Sequence, residues 1–107
     1  METRKQNQLT EEISNFAGKY FAREYASTSL MTITRASMAS NLKTITIYVS
    51  IMPTSDEQRA LKFLKRSRSD FREYLKSEGQ LSRIPTVDFE IDLGEKNRQR
   101  VDELTRN

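Results

Sequence analysis

"LKFLKRSRSDFREYL", residues 61–75, decides how the chain folds. Leu61, Leu64, Phe71 and Leu75 are spaced as one helical stripe would space them, but Arg68 stands where the stripe calls for another apolar side chain. A continuous helix from Glu57 to Glu78 would run for 22 residues and turn Arg68 into its buried face. Burying an unpaired charge costs far more than helix continuity returns, so the guanidinium must reach outward or the helix must bend. The flanking Ser67 and Ser69 favour the bend. Either can cap a new helix, and Ser67 with Asp70 three residues on resembles a capping box with a shorter acid. The segment is expected to form two helices meeting at Ser67, Arg68 and Ser69, with Gly79 as the stop of the second.

The elements on either side have clearer periods. Leu9, Ile13, Phe16, Ala17, Tyr20 and Phe21 mark one face of a first helix, with Thr10, Glu11 and Glu12 suited to its early turns. "SLMTITRAS" (29–37) is rich in β-branched residues, and "KTITIYVSIM" (43–52) alternates, Ile45, Ile47, Val49 and Ile51 pointing one way. The connector "MASNL" is short enough for an antiparallel hairpin. Pro53 ends the second strand, and "TSDEQ" reads as a helix start with Thr54 or Ser55 as N-cap. Val87, Phe89, Ile91 and Leu93 alternate with Asp88, Glu90 and Asp92 in a last strand that carries a carboxylate row on its wet face and ends at Gly94. The order gives an α+β fold: one three-stranded sheet with helices packed on one face. The chain reads as a single domain over 1–107, its core about 9–93, with a short helix or tail over 95–107.

Composition excludes several chemistries. The chain has 107 residues, enough for one core, with 31% charged and 36% hydrophobic. Cysteine and histidine are both absent, which removes disulfides, thiolate zinc sites and nucleophile–histidine pairs. No EF-hand spacing and no glycine-rich phosphate loop occurs, so neither a metal nor a cofactor nor a catalytic residue is expected. No apolar run nears the roughly 18 residues that span a bilayer, and "METRKQNQ" lacks the apolar stretch of a signal peptide. A cytoplasmic protein without a membrane partner or small-molecule substrate is expected.

Net charge is only +3, but it is unevenly placed. Between Arg59 and Arg83 eight bases face three acids, a surplus of +5, while Asp88 to Glu103 carries −3. On a helical wheel Lys62, Lys65, Arg66 and Lys76 fall opposite the apolar stripe; Arg68 sits at the break and Arg72 at the border. Charge alone leaves a solvated helix face and a phosphate-binding face equally open.

Taken together, the elements resemble bacterial ribosome-binding factor A, a family with a type II KH-like domain in which an Ala-x-Gly kink replaces the usual Gly-x-x-Gly loop. Ser67-Arg68-Ser69 falls on that kink, with Arg72 and Leu75 on an Arg and a Leu that follow it. "SMASNLKTITIYVS" is similar to the family's hairpin, with Asn41 where Asp is usual. "RIPTVDFEIDLG" is similar to its Pro-x-Leu-x-Phe-x-x-Asp signature, at Pro85, Val87, Phe89 and Asp92. The resemblance spans about residues 9–104. It implies an α-β-β-α-kink-α-β order and a monomeric, non-catalytic assembly factor. Such a factor binds immature 30S particles and 16S rRNA, and assists late maturation and 5′-end processing.

On that resemblance Lys65, Arg66, Arg68, Arg72 and Lys76 become the expected phosphate-binding face, with Lys62 beside them and Arg59, Arg83 and Lys43 peripheral. Asp70 and Glu73 interrupt it, so binding should be moderate and salt-sensitive. Phe16, Tyr20, Phe21, Phe63, Phe71 and Phe89 are expected in the core, while Tyr48, on the polar side of its strand, either covers the sheet or stacks on a base. The acidic strand is expected to face away from RNA. Two other readings stand beside this one: a general KH-like RNA-binding protein or chaperone, and a protein-interaction module for an acidic partner.

Overall fold

Parallel pairing of two strands needs a crossover of a dozen or more residues, and the helical segment supplies it. The computed structural model describes residues 4–24, 29–79, 81, 83–94 and 97. Within them α1 (Arg4–Glu24) precedes a hairpin of β1 (Leu30–Met38) and β2 (Thr44–Met52). Helices α2 (Glu57–Arg66) and α3 (Arg68–Ser77) follow, then β3 (Thr86–Ile91). The sheet order is β1-β2-β3; β2 is antiparallel to β1 and parallel to β3, so it is central and hydrogen-bonded on both sides. This is the expected α+β architecture. The tail expected over 95–107 lies outside the described residues, save Asn97.

Register decides the core. Ile45, Ile47 and Val49 of β2 stand opposite Val87, Phe89 and Ile91 of β3, and opposite Met38, Ala36 and Ile33 of β1. This shared face takes all three helices: α1 lies on β1 and touches α3, and α2 lies on β3. Phe21 is the hub, its ring 5.4 Å from both Phe71 and Phe89 and 6.2 Å from Phe63. One aromatic from α1 thus contacts α2, α3 and β3 together. The fully buried Phe21, Phe71 and Phe89 contribute about 2–3 kcal/mol each from area alone. Among the described residues no helix is long and apolar enough to cross a membrane.

Four local expectations are corrected. Helix α1 begins at Arg4, more than a turn before the apolar stripe. Gln6 is buried there and its amide donates to the Ala39 carbonyl in the hairpin loop, while the Thr10 hydroxyl donates back to the Gln6 carbonyl. Neither Thr54 nor Ser55 caps α2: residues 54–56 form a 3-10 turn after a cis Met52–Pro53 bond, and buried Asp56 occupies the N-cap position without a capping bond. The break between α2 and α3 falls at Ser67, but no serine caps it; the Ser67 hydroxyl donates to the Phe63 carbonyl at 2.8 Å. Finally, β3 stops at Ile91, leaving Leu93 exposed, and Asp92 is buried by its partners on the open face of the sheet instead of being solvated there.

Candidate nucleic-acid interface

In α3, Arg68, Arg72 and Lys76 recur every four residues, which aligns them in one row along the helix. That row runs beside the segment leading into β3, in the opposite direction. Arg68 Nη1 lies 3.3 Å from Asp88 Oδ1. One turn on, the Arg72 guanidinium donates to the carbonyls of Pro85 and Ile84, each at 3.3 Å. A further turn on, Lys76 lines a groove of about 200 Å³ with Arg72, Glu73, Leu81 and Ile84. Past Ile84 a second groove of about 370 Å³ is lined by Lys43, Arg83, Leu42, Pro85 and Thr86. The start of β3 is held there by the Thr86 N–H on the Lys43 carbonyl.

At the break, Lys65 joins the row from α2, its Nζ 3.6 Å from the same Asp88 oxygen. With α2 ending at Arg66, Arg68 Nε donates to the Lys65 carbonyl at 3.0 Å, satisfying one of the last-turn acceptors a helix leaves open. Arg68 is thereby exposed instead of buried, the outcome the serine-flanked break was expected to give. Lys65, Arg68, Arg72, Lys76, Arg83 and Lys43 form one ridge along the β3 side of the molecule.

Three further expected residues, all on α2, make no ion pair with Asp88. Arg59 lies at the other end of α2, paired with buried Asp56. Lys62 and Arg66 are on α2 and, like Lys76, Arg83 and Lys43, make no ion pair with another described residue. Asp70 falls on the opposite side of α3 from the row, whereas Glu73 borders it in the Lys76 groove.

Two features escaped the sequence reading. Asp88 does not face away from the cations; from its edge strand it contacts two of them. Tyr48 has one ring face covered by the Arg35 guanidinium, 3.8 Å from its centroid, so that face is closed to a base. Arg35 is held there by Asp92, its Nε 3.4 Å from Oδ2. The β1 bulge between Ile33 and Arg35 sets this alignment, and nothing in a run of β-branched residues announces an extra residue.

A family model for ribosome-binding factor A matches residues 1–105. No curated protein sequence matches the chain. Among solved structures, the crystal structure of ribosome-binding factor A from Thermus thermophilus has 16% identity and a TM-score of 0.69, covering 79% of this chain and 93% of that one. The solution structure of a Thermotoga maritima protein put forward as a ribosome-binding factor A has 19% identity and a TM-score of 0.66, with 84% and 89% covered. A homology model of the Thermus thermophilus factor, as fitted into a cryo-EM map of its 30S complex, has 15% identity and a TM-score of 0.61, with 84% and 93% covered.

Proposed function

The chain belongs to the ribosome-binding factor A family, and on that premise we propose that it binds immature small ribosomal subunits through 16S rRNA. In this reading it assists late maturation and 5′-end processing of that RNA as a non-catalytic factor. The observation that carries the reading is the ridge from Lys65 to Lys43. Backbone binding requires positive charge at fixed positions, and protein contacts to phosphates set register and orientation. Arg68 and Arg72 meet that requirement, since backbone carbonyls hold both guanidiniums while each keeps further N–H donors for a ligand.

The chemistry on offer is charge and hydrogen-bond donation. With no histidine or cysteine in the chain, nothing supplies an imidazole base or a thiolate. At the break there is no glycine loop to clamp single-stranded nucleotides, so recognition rests on RNA backbone and shape. A related fold fitted to a 30S particle supports the small subunit as the ligand.

Sedimentation of the tagged protein in a bacterial lysate tests this. Migration with free small subunits, but not with complete ribosomes, and lost as salt rises, is the expected result. A protein that stays at the top of the gradient at low salt overturns the reading and points to an acidic protein partner for the same ridge.

A further inference from the structure

Asp88 stands inside the cationic ridge although it belongs to the acidic strand. Its Oδ1 accepts the Phe89 N–H at 2.9 Å, so the carboxylate is fixed by the adjoining backbone. That same oxygen contacts Arg68 and Lys65. The three side chains are 41–45% exposed, so a ligand can reach all of them. Ion pairs this exposed stabilise a fold little, and a folding role does not account for the arrangement.

A carboxylate oxygen bridging a guanidinium and an ammonium does what a phosphate oxygen would do in the same place. It halves the net charge of the cation pair, and it sets a fixed negative charge a few ångströms from any phosphate approaching either cation. Elsewhere among the described residues no carboxylate is ion-paired to a ridge cation, although Glu73 borders the row in the Lys76 groove. Arg72 is held by neutral carbonyls, and Lys76, Arg83 and Lys43 make no ion pair with a described residue.

We propose that Asp88 is a specificity-determining residue of this face, a built-in competitor for RNA phosphate at Arg68 and Lys65. The inference rests on the reading of the ridge as RNA-binding. The competitor weakens backbone contact at the break whatever the base sequence. An unstructured strand that touches mainly the break gains little from it. An RNA whose backbone also follows the ridge to Arg72, Lys76 and Lys43 keeps those contacts. Selectivity for shape then comes from a repulsive element placed at one point of an attractive surface.

The test compares wild type with Asp88→Asn, which keeps the side-chain shape and an acceptor for the Phe89 N–H. Asp88→Ser is a second variant in case the first folds poorly. Binding to oligouridylate and to isolated small subunits is measured across a salt series, beside Arg68→Gln and the double variant D88N/R68Q. D88N is expected to bind oligouridylate about fivefold more tightly at low salt. Its log K against log salt slope should steepen by about 0.7, one added single-strand phosphate contact. Affinity for subunits should rise less, and the double variant should lose most of the gain. Unchanged or weaker oligouridylate binding by a folded D88N overturns the proposal and makes Asp88 a strut. If R68Q and Lys65→Gln both bind like wild type, the RNA reading of the ridge itself falls and takes the inference with it.

Discussion

Thr34 donates a 2.6 Å hydrogen bond to Asp92, across 58 residues of chain and the width of the sheet. The bond ties the bulge of β1 to the residue just past β3, whose own N–H continues the ladder onto the Val49 carbonyl. The same carboxylate places Arg35 over Tyr48, so one buried acid organises the open side of the sheet.

Removing that acid should therefore do more than remove one contact. Asp92→Ala leaves the part-buried Thr34 hydroxyl without this partner and releases Arg35. A loss of about 2–3 kcal/mol in urea unfolding is expected, against about 1 kcal/mol for Asp92→Asn, which keeps a hydrogen-bonding group. Near-neutral behaviour of Asp92→Ala would show that the network contributes nothing to stability.

Arg72 has two tasks that substitution can separate. Its fork reaches two consecutive carbonyls, a geometry lysine cannot reproduce although it keeps the charge. Arg72→Lys should lose about 1 kcal/mol of stability while holding RNA affinity within about threefold of wild type. Arg72→Gln should lose both. Equal RNA loss in the two variants would place the guanidinium fork itself on the RNA.

Gly79 follows α3 where a side chain has no room. A Cβ built there would lie 2.7 Å from the Leu75 carbonyl oxygen and 3.2 Å from Phe16. The first neighbour is backbone and cannot step aside cheaply. Gly79→Ala should cost about 1–3 kcal/mol, read as a lowered midpoint in thermal or urea unfolding. A stability equal to wild type would mean that the end of α3 shifts freely.

How much of this was legible in the sequence depends on the distance between partners. The alternation of Ile45 to Ile51 and the Arg68 interruption are local, so strand, break and helix-covered face could be read directly. Strand order could not, because nothing within β3 says that it pairs parallel with β2. Asp88 and Asp92 show the same limit. Two residues of one apparently uniform acidic row have separate fates: one curls to the helix break 20 residues upstream, the other is buried against a bulge in β1. Ser67 departs from its expected role for a different reason. A serine at a helix junction can cap the next helix or bond back to the previous turn, and composition does not choose between them.

Arg59 provides the sharpest separation between charge in the sequence and charge at the site. Counting places it in the basic segment with Lys65 and Arg68, but it pairs with buried Asp56 in the first turn of α2, away from the Asp88 end of the ridge. Its side chain is 71% exposed, so screening limits what the pair contributes, and Arg59→Gln should lower stability by less than about 1 kcal/mol. RNA binding is the more informative readout. Arg59→Gln should stay within about twofold of wild type with an unchanged salt slope. Arg68→Gln should weaken binding about tenfold and flatten the slope by about one phosphate contact. Measured side by side, equal losses would mean that RNA senses only the summed charge of the helical segment. Unequal losses in the stated direction would mean that it follows the ridge along β3.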